Sequence, residues 1–160
     1  MKLYKVTGKD GVACNGGKGK WNLPKGGQPG EWMPPIEKKL IPCENGYHLC
    51  RFEDLLGWLN AEIYEAEGRG DMVGCEDKVV YREARLMKKI EPWDERTARL
   101  FAADCAEHVL PIFEKTFPND DRPRKAIQAA RAAAGDAAWA AVWAAEEKWQ
   151  LEKLAECLGL

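Results

Sequence analysis

The chain has 160 residues and a mass of 18.0 kDa, the size of one domain or two small ones, which excludes a large multidomain enzyme. Lys and Arg total 24 against 26 for Asp and Glu, a net charge of -2 with no long run of either sign, which disfavours nucleic-acid binding driven by gross charge. Hydrophobic residues at 46% and seven Trp mark a folding chain, and no apolar run approaches the roughly 20 residues that span a bilayer.

Leu3-Tyr4-Lys5-Val6-Thr7 alternates like a half-buried strand, and Gly8 to Gly11 supplies a turn. Residues 15–35 are rich in Gly and Pro, yet they carry Trp21 and Trp32, whose apolar area is costly to leave in water, so a packed loop is expected. Leu40-Ile41 is expected to pair with Tyr47 to Cys50 across the Asn45-Gly46 turn. Glu53 to Leu59 reads as a short helix burying Leu55, Leu56, Trp58 and Leu59. Two further strands, Ile63 to Glu67 and Lys78 to Leu86, flank a turn at Gly68-Arg69-Gly70 and a polar loop.

Composition changes after Trp93: 13 Gly and six Pro precede that point, whereas two Gly, three Pro and 17 Ala follow it. Alanine carries the smallest helix penalty, so the second part is expected to be helical. Asp94 is a good N-cap, and Ala98, Phe101, Cys105, Val109 and Ile112 recur at helical spacing as a stripe expected to be buried. Pro111 is expected to bend or end this helix. A second helix starts near Pro123 and ends at Gly135, and a third from Asp136 carries Trp139, Trp143, Gln150, Leu154, Cys157 and Leu158 on one face, interrupted by Glu147. The expected class is α+β, with a small Gly/Pro-rich sheet domain over 1–93 and an Ala-rich three-helix segment over 94–160 packed on it.

Among chemistry-bearing residues, Cys43, His48 and Cys50 flank one turn, and thiolate and imidazole groups at such positions bind zinc, with Cys14 or Cys75 as a fourth ligand. A second close ligand pair is missing, so buried thiols and a hydrogen-bonded histidine form the competing reading. His48 with a cysteine is also a nucleophile and base pair in composition, and Glu65 with Glu67 presents two carboxylates on one strand face. Asp104 and His108 are helical neighbours at i, i+4, which reads as a buried histidine oriented by a carboxylate, with a proton-transfer pair as the competing reading. Arg122, Arg124 and Lys125 open a helix beside Asp120 and Asp121, where internal pairing competes with anion binding. Exposed members among Trp21, Trp32, Trp58, Trp139, Trp143 and Trp149 are candidate anchors for a protein partner, with Trp21, Trp32, Arg122, Arg124 and Trp149 as the selected partner-binding set.

The segment Thr97 to Ala134, through Phe101 to Leu110 and Asp120 to Ile127, resembles an immunity-protein family associated with bacterial polymorphic toxins. That resemblance implies a helical protein-binding scaffold. Residues 1–93, through Pro42-Cys43, Gly46 to Cys50, Ile63 to Gly68 and Lys78 to Val80, resemble an uncharacterised domain of phage and prophage proteins. Together they imply a phage or mobile-element accessory protein that binds and inhibits a protein target, as an anti-CRISPR or an immunity protein does. Its partner would be a defence nuclease, effector or toxin. The opening residues hold no signal-peptide core, so the host bacterial cytoplasm is expected, where cysteines stay reduced or bind metal. The alternatives are an ADP-ribosyltransferase-like enzyme using NAD through Glu65 or Glu67, and a zinc-stabilised structural module. Apart from zinc, no cofactor is expected.

Overall fold

The computed structural model describes residues 1–136 and 148–150. By internal contacts the chain divides into two units, Met1–Asp94 and Glu95–Leu160. The class is α+β.

In the first unit, strands β1 (Leu3–Thr7), β2 (Tyr47–Leu49), β3 (Glu62–Gly74) and β4 (Val79–Lys89) form one antiparallel sheet in the order β1-β3-β4-β2. The sheet curls back on itself. Tyr4 and Cys50 exchange two backbone hydrogen bonds of 2.8 Å, so β1 meets β3 on one side and the end of β2 on the other. Leu3 and Val6 have opposite parity along β1 and therefore face opposite sides, and each belongs to a core cluster. Leu3 packs with Trp21, Leu49, Tyr64, Val79, Ala84 and Leu86. Val6 packs with Cys50, Leu55 and Ile63, flanked by Trp58 and Trp93.

The long loop is packed, as its tryptophans demand. Gly30, Met33 and Ile36 donate backbone hydrogen bonds to the carbonyls of Leu86, Ala84 and Arg82, so the segment runs along β4 beyond the end of β2. Gly30 is buried, and a Cβ there would run into the carbonyl oxygen of Asn22. Trp21 is 6% exposed and meets Tyr47 edge-on at 5.5 Å.

Three local expectations are corrected. The Leu40-Ile41 segment does not pair with Tyr47 to Cys50. Ile41 closes a tight loop onto Asn45, and β2 pairs with β4, placing Leu49 and Val80, both 0% exposed, in the interior. Gly68-Arg69-Gly70 is not a turn but lies within β3, where the register slips between Arg69 and Met72. Gly70, at φ +76°, takes up the extra residue as a bulge, a conformation that costs glycine little. The actual turn is Cys75 to Lys78, held by the Arg51 guanidinium on the Cys75 and Glu76 carbonyls and by the Trp58 indole on the Asp77 carbonyl. Finally, the short helix is a 3-10 helix, Phe52–Gly57, that buries Leu55 but leaves Leu56 72% exposed, because three residues per turn give it a narrower inner face. Asp54 closes its start by accepting from the Arg51 amide and guanidinium, which holds the Asp54 carboxyl below its usual range.

In the second unit, α1 spans Glu95–Thr116, and residues 122–136 are helical as α2. Pro111 lies inside α1 and does not end it. Proline removes one hydrogen bond there, while the turn beyond it gains the Phe113–Phe117 ring contact at 5.0 Å and the Glu114–Arg124 ion pair. Ala103 and Leu110 of α1 pack with Ile127 and Ala130 of α2. Arg131 reaches Asp104 at 2.7 Å and Glu107 at 2.5 Å, so charged pairs fasten the edges of this apolar contact. The expected third helix, with Trp139, Trp143, Glu147, Leu154, Cys157 and Leu158, lies outside the described residues apart from 148–150, which are helical.

Candidate functional site

The stripe expected to be buried on α1 faces outward. Ala103 and Leu110, which form the packed side, are seven residues apart, close to two helical turns. At 100° per residue, Phe101, Cys105, Val109 and Ile112 fall on the opposite side of α1. Val109 is 52% and Ile112 72% exposed, Cys105 is exposed, and Phe101 is 37% exposed. Helix α1 is therefore apolar on two sides, and among the described residues α2 packs on the side of Ala103 and Leu110. Sequence periodicity detects an apolar stripe but not which of two stripes meets a neighbour.

His108 is exposed on the same outward side, and Asp104 is bound to Arg131, so the carboxylate-oriented buried histidine expected from their spacing is not formed. Arg122 grips Asp120 through two nitrogens, which pulls the Asp120 carboxyl down to about 2. Arg124 forks onto Glu114 of α1. Both arginines of the candidate set are thus engaged within the unit. Trp149 is 54% exposed.

The remaining candidates lie in the sheet unit. Trp21 fills the core, so it offers no face to a partner. Trp32 is half-buried between the guanidinium groups of Arg69 and Arg85, at 4.0 and 4.6 Å from its ring centre, and those arginines pair with Glu83 and Glu67. Glu65 pairs with Lys2 at 2.5 Å.

Cys43, His48 and Cys50 line one cleft of about 680 Å3, together with Cys14, Lys5 and Lys78. His48 Nε2 accepts a 2.8 Å hydrogen bond from the Cys43 amide, and Cys43 adopts φ +65° to present it. Burial, followed by the nearby Lys5 and Lys78 charges, lowers the His48 pKa and favours the neutral ring. Burial pushes the Cys50 thiol up to about 11, and raises Cys14, whose thiol donates to the Val6 carbonyl at 3.6 Å. Among the described residues no group of three or more His, Cys, Asp or Glu is arranged to hold a metal ion. The Lys5 ammonium donates to the His48 carbonyl at 3.1 Å and lies 5.0 Å from the Trp21 ring centre, and burial lowers its pKa. Sequence reading did not single out Lys5, because a lysine on a half-buried strand ordinarily points to solvent.

Among the described residues, no helix is long and apolar enough to cross a membrane. No curated protein and no solved structure matches the chain. Residues 88–142 match the family model described as Imm-5 like putative immunity protein, so the stretch containing α1 and α2, whose resemblance was legible over 97–134, is similar to immunity proteins.

Proposed function

We propose that the protein is an immunity-like binding protein, which recognises a protein toxin through the outward apolar face of α1 and blocks it by occupying its surface. The observation that carries this reading is the exposed stripe of Val109 and Ile112, with Cys105, lying within the stretch similar to immunity proteins. Exposed contiguous apolar side chains are costly to keep in water and mark interaction surfaces. The ion pairs from Arg124 and Arg131 to α1 keep this face on a braced helix, which limits the entropy lost on binding. Trp149 adds an exposed indole in the same unit.

Co-expression with a panel of bacterial polymorphic toxins tests the reading, with growth and complex formation as readouts. Wild-type protein is expected to restore growth against its cognate toxin and to form a complex with it. Val109→Asp/Ile112→Asp is expected to lose protection while keeping wild-type helicity. Protection retained by the double variant overturns the assignment of the face. A complex with a defence nuclease or effector and with no toxin overturns the partner class, and favours a mobile-element inhibitor.

A further inference from the structure

The cleft of about 680 Å3 in the sheet unit lies outside the stretch similar to immunity proteins, and its size falls within the roughly 300 to 1,000 Å3 of small-molecule sites. Its charge is lopsided. Among the described residues, Lys5, Lys18, Lys20 and Lys78 line it against a single carboxylate, Glu44, in a chain whose net charge is -2. Concave surfaces lined by one sign of charge concentrate ligands of the other sign.

The four lysines differ in what already satisfies them. Lys78 is buried but pairs with Asp77, donating to both of its carboxylate oxygens at 2.8 and 3.1 Å. Lys18 and Lys20 stand exposed on the loop at the rim. Lys5 is the unbalanced one: among the described residues its ammonium has one hydrogen bond, to the His48 carbonyl, and no carboxylate within ion-pair distance. An ammonium carries three donors, so two remain for a ligand. The Trp21 face attracts the cation without cancelling its charge. Neither the Cys14 nor the Cys50 thiol, both raised by burial, supplies an anion at neutral pH. Met33 and Trp58 provide apolar wall against which the body of a ligand can lie.

We propose that this cleft binds a small organic oxyanion, a phosphate monoester or a carboxylate, with Lys5 as its interior counter-charge and Lys18 and Lys20 attracting it at the rim. A bound oxyanion fills the unused donors of Lys5 and balances a charge that the fold leaves open. Phosphate and carboxylate share this chemistry and differ in geometry, which the choice of probe resolves.

The test is calorimetric titration of the full chain with inorganic phosphate, adenosine monophosphate and citrate, with adenosine as the uncharged control. At least one oxyanion is expected to bind with one-to-one stoichiometry and to raise the Tm, and Lys5→Met is expected to weaken it about tenfold or more. Phosphate or adenosine monophosphate alone identifies a phosphate site, and citrate alone a carboxylate site. Lys18→Glu/Lys20→Glu, on an exposed loop that leaves the core untouched, is expected to weaken binding about threefold to tenfold, with a larger loss at low salt. The proposal is overturned if no oxyanion binds below about 10 mM, if adenosine binds as tightly as its monophosphate, or if Lys5→Met binds like wild type. Should Lys5→Met fail to fold, undiminished affinity in the Lys18/Lys20 variant is the overturning result.

Discussion

Glu62 is 9% exposed and accepts three hydrogen bonds, from Lys89 Nζ at 2.7 Å, Tyr64 Oη at 2.9 Å and the Gly11 amide at 3.2 Å. Burial alone would raise its pKa, but these donors outweigh burial and hold it below its ordinary value of 4.5. A carboxyl lowered in the folded state contributes stability that is present above 4.5 and is lost as pH falls through the folded value. Glu62→Gln is therefore expected to cost about 2 kcal/mol near neutral pH and to flatten the loss of stability below pH 4.5, measured by urea unfolding across an acid series. Thr7 presents the opposite situation. It is 0% exposed, and its Oγ1 has no hydrogen-bond partner among the described residues. Thr7→Val keeps the shape and removes an unpaired buried hydroxyl, so a gain of up to about 1 kcal/mol is expected in the same assay. Neither position stands out in sequence, since strand alternation treats Thr7 and Glu62 as ordinary polar residues. Their burial is decided by the strands and turns that close over them.

At the scale of elements, α1 separates stability from recognition. Leu110 is 6% exposed against α2, so Leu110→Ala is expected to cost about 2 to 4 kcal/mol through the cavity it opens. Ile112, two residues away and 72% exposed, is expected to change stability by less than about 0.5 kcal/mol as Ile112→Asp. Thermal unfolding of the two variants side by side checks the orientation of the helix, and equal losses would refute it. Strand boundaries follow the same logic as faces. Leu3–Thr7 was legible as β1 from its local composition, although its burial does not alternate: Leu3 and Val6 lie on opposite faces, each in its own core cluster, because the curled sheet covers the strand on both sides. Local composition was insufficient for β3, where glycines that favour turns in isolation are absorbed as a bulge by the 11-residue β4 alongside.

At the scale of the molecule, unit Met1–Asp94 has its own sheet and both of the sheet's core clusters, the second closed by Ile90 and Trp93 near its end. A unit with its own core can fold alone. The fragment 1–94 is expected to give a cooperative unfolding transition and a near-ultraviolet circular dichroism signal from buried Trp21, and a featureless near-ultraviolet spectrum would refute this. The α+β class, the change in architecture near Trp93, the packed character of the Trp-bearing loop and the resemblance to immunity proteins over 97–134 were determined by the sequence itself. Each rests on local composition, periodicity or a contiguous motif, which the chain carries wherever it folds. The partner of β2, the outward orientation of the Phe101 to Ile112 stripe, the withdrawal of Trp21 into the core and the gathering of Lys5, Lys18, Lys20 and Lys78 around one cleft were decided only by the tertiary structure. These depend on pairings between residues far apart in the chain, where the apolar face that is buried and the charge that is left unbalanced follow from which neighbour arrives.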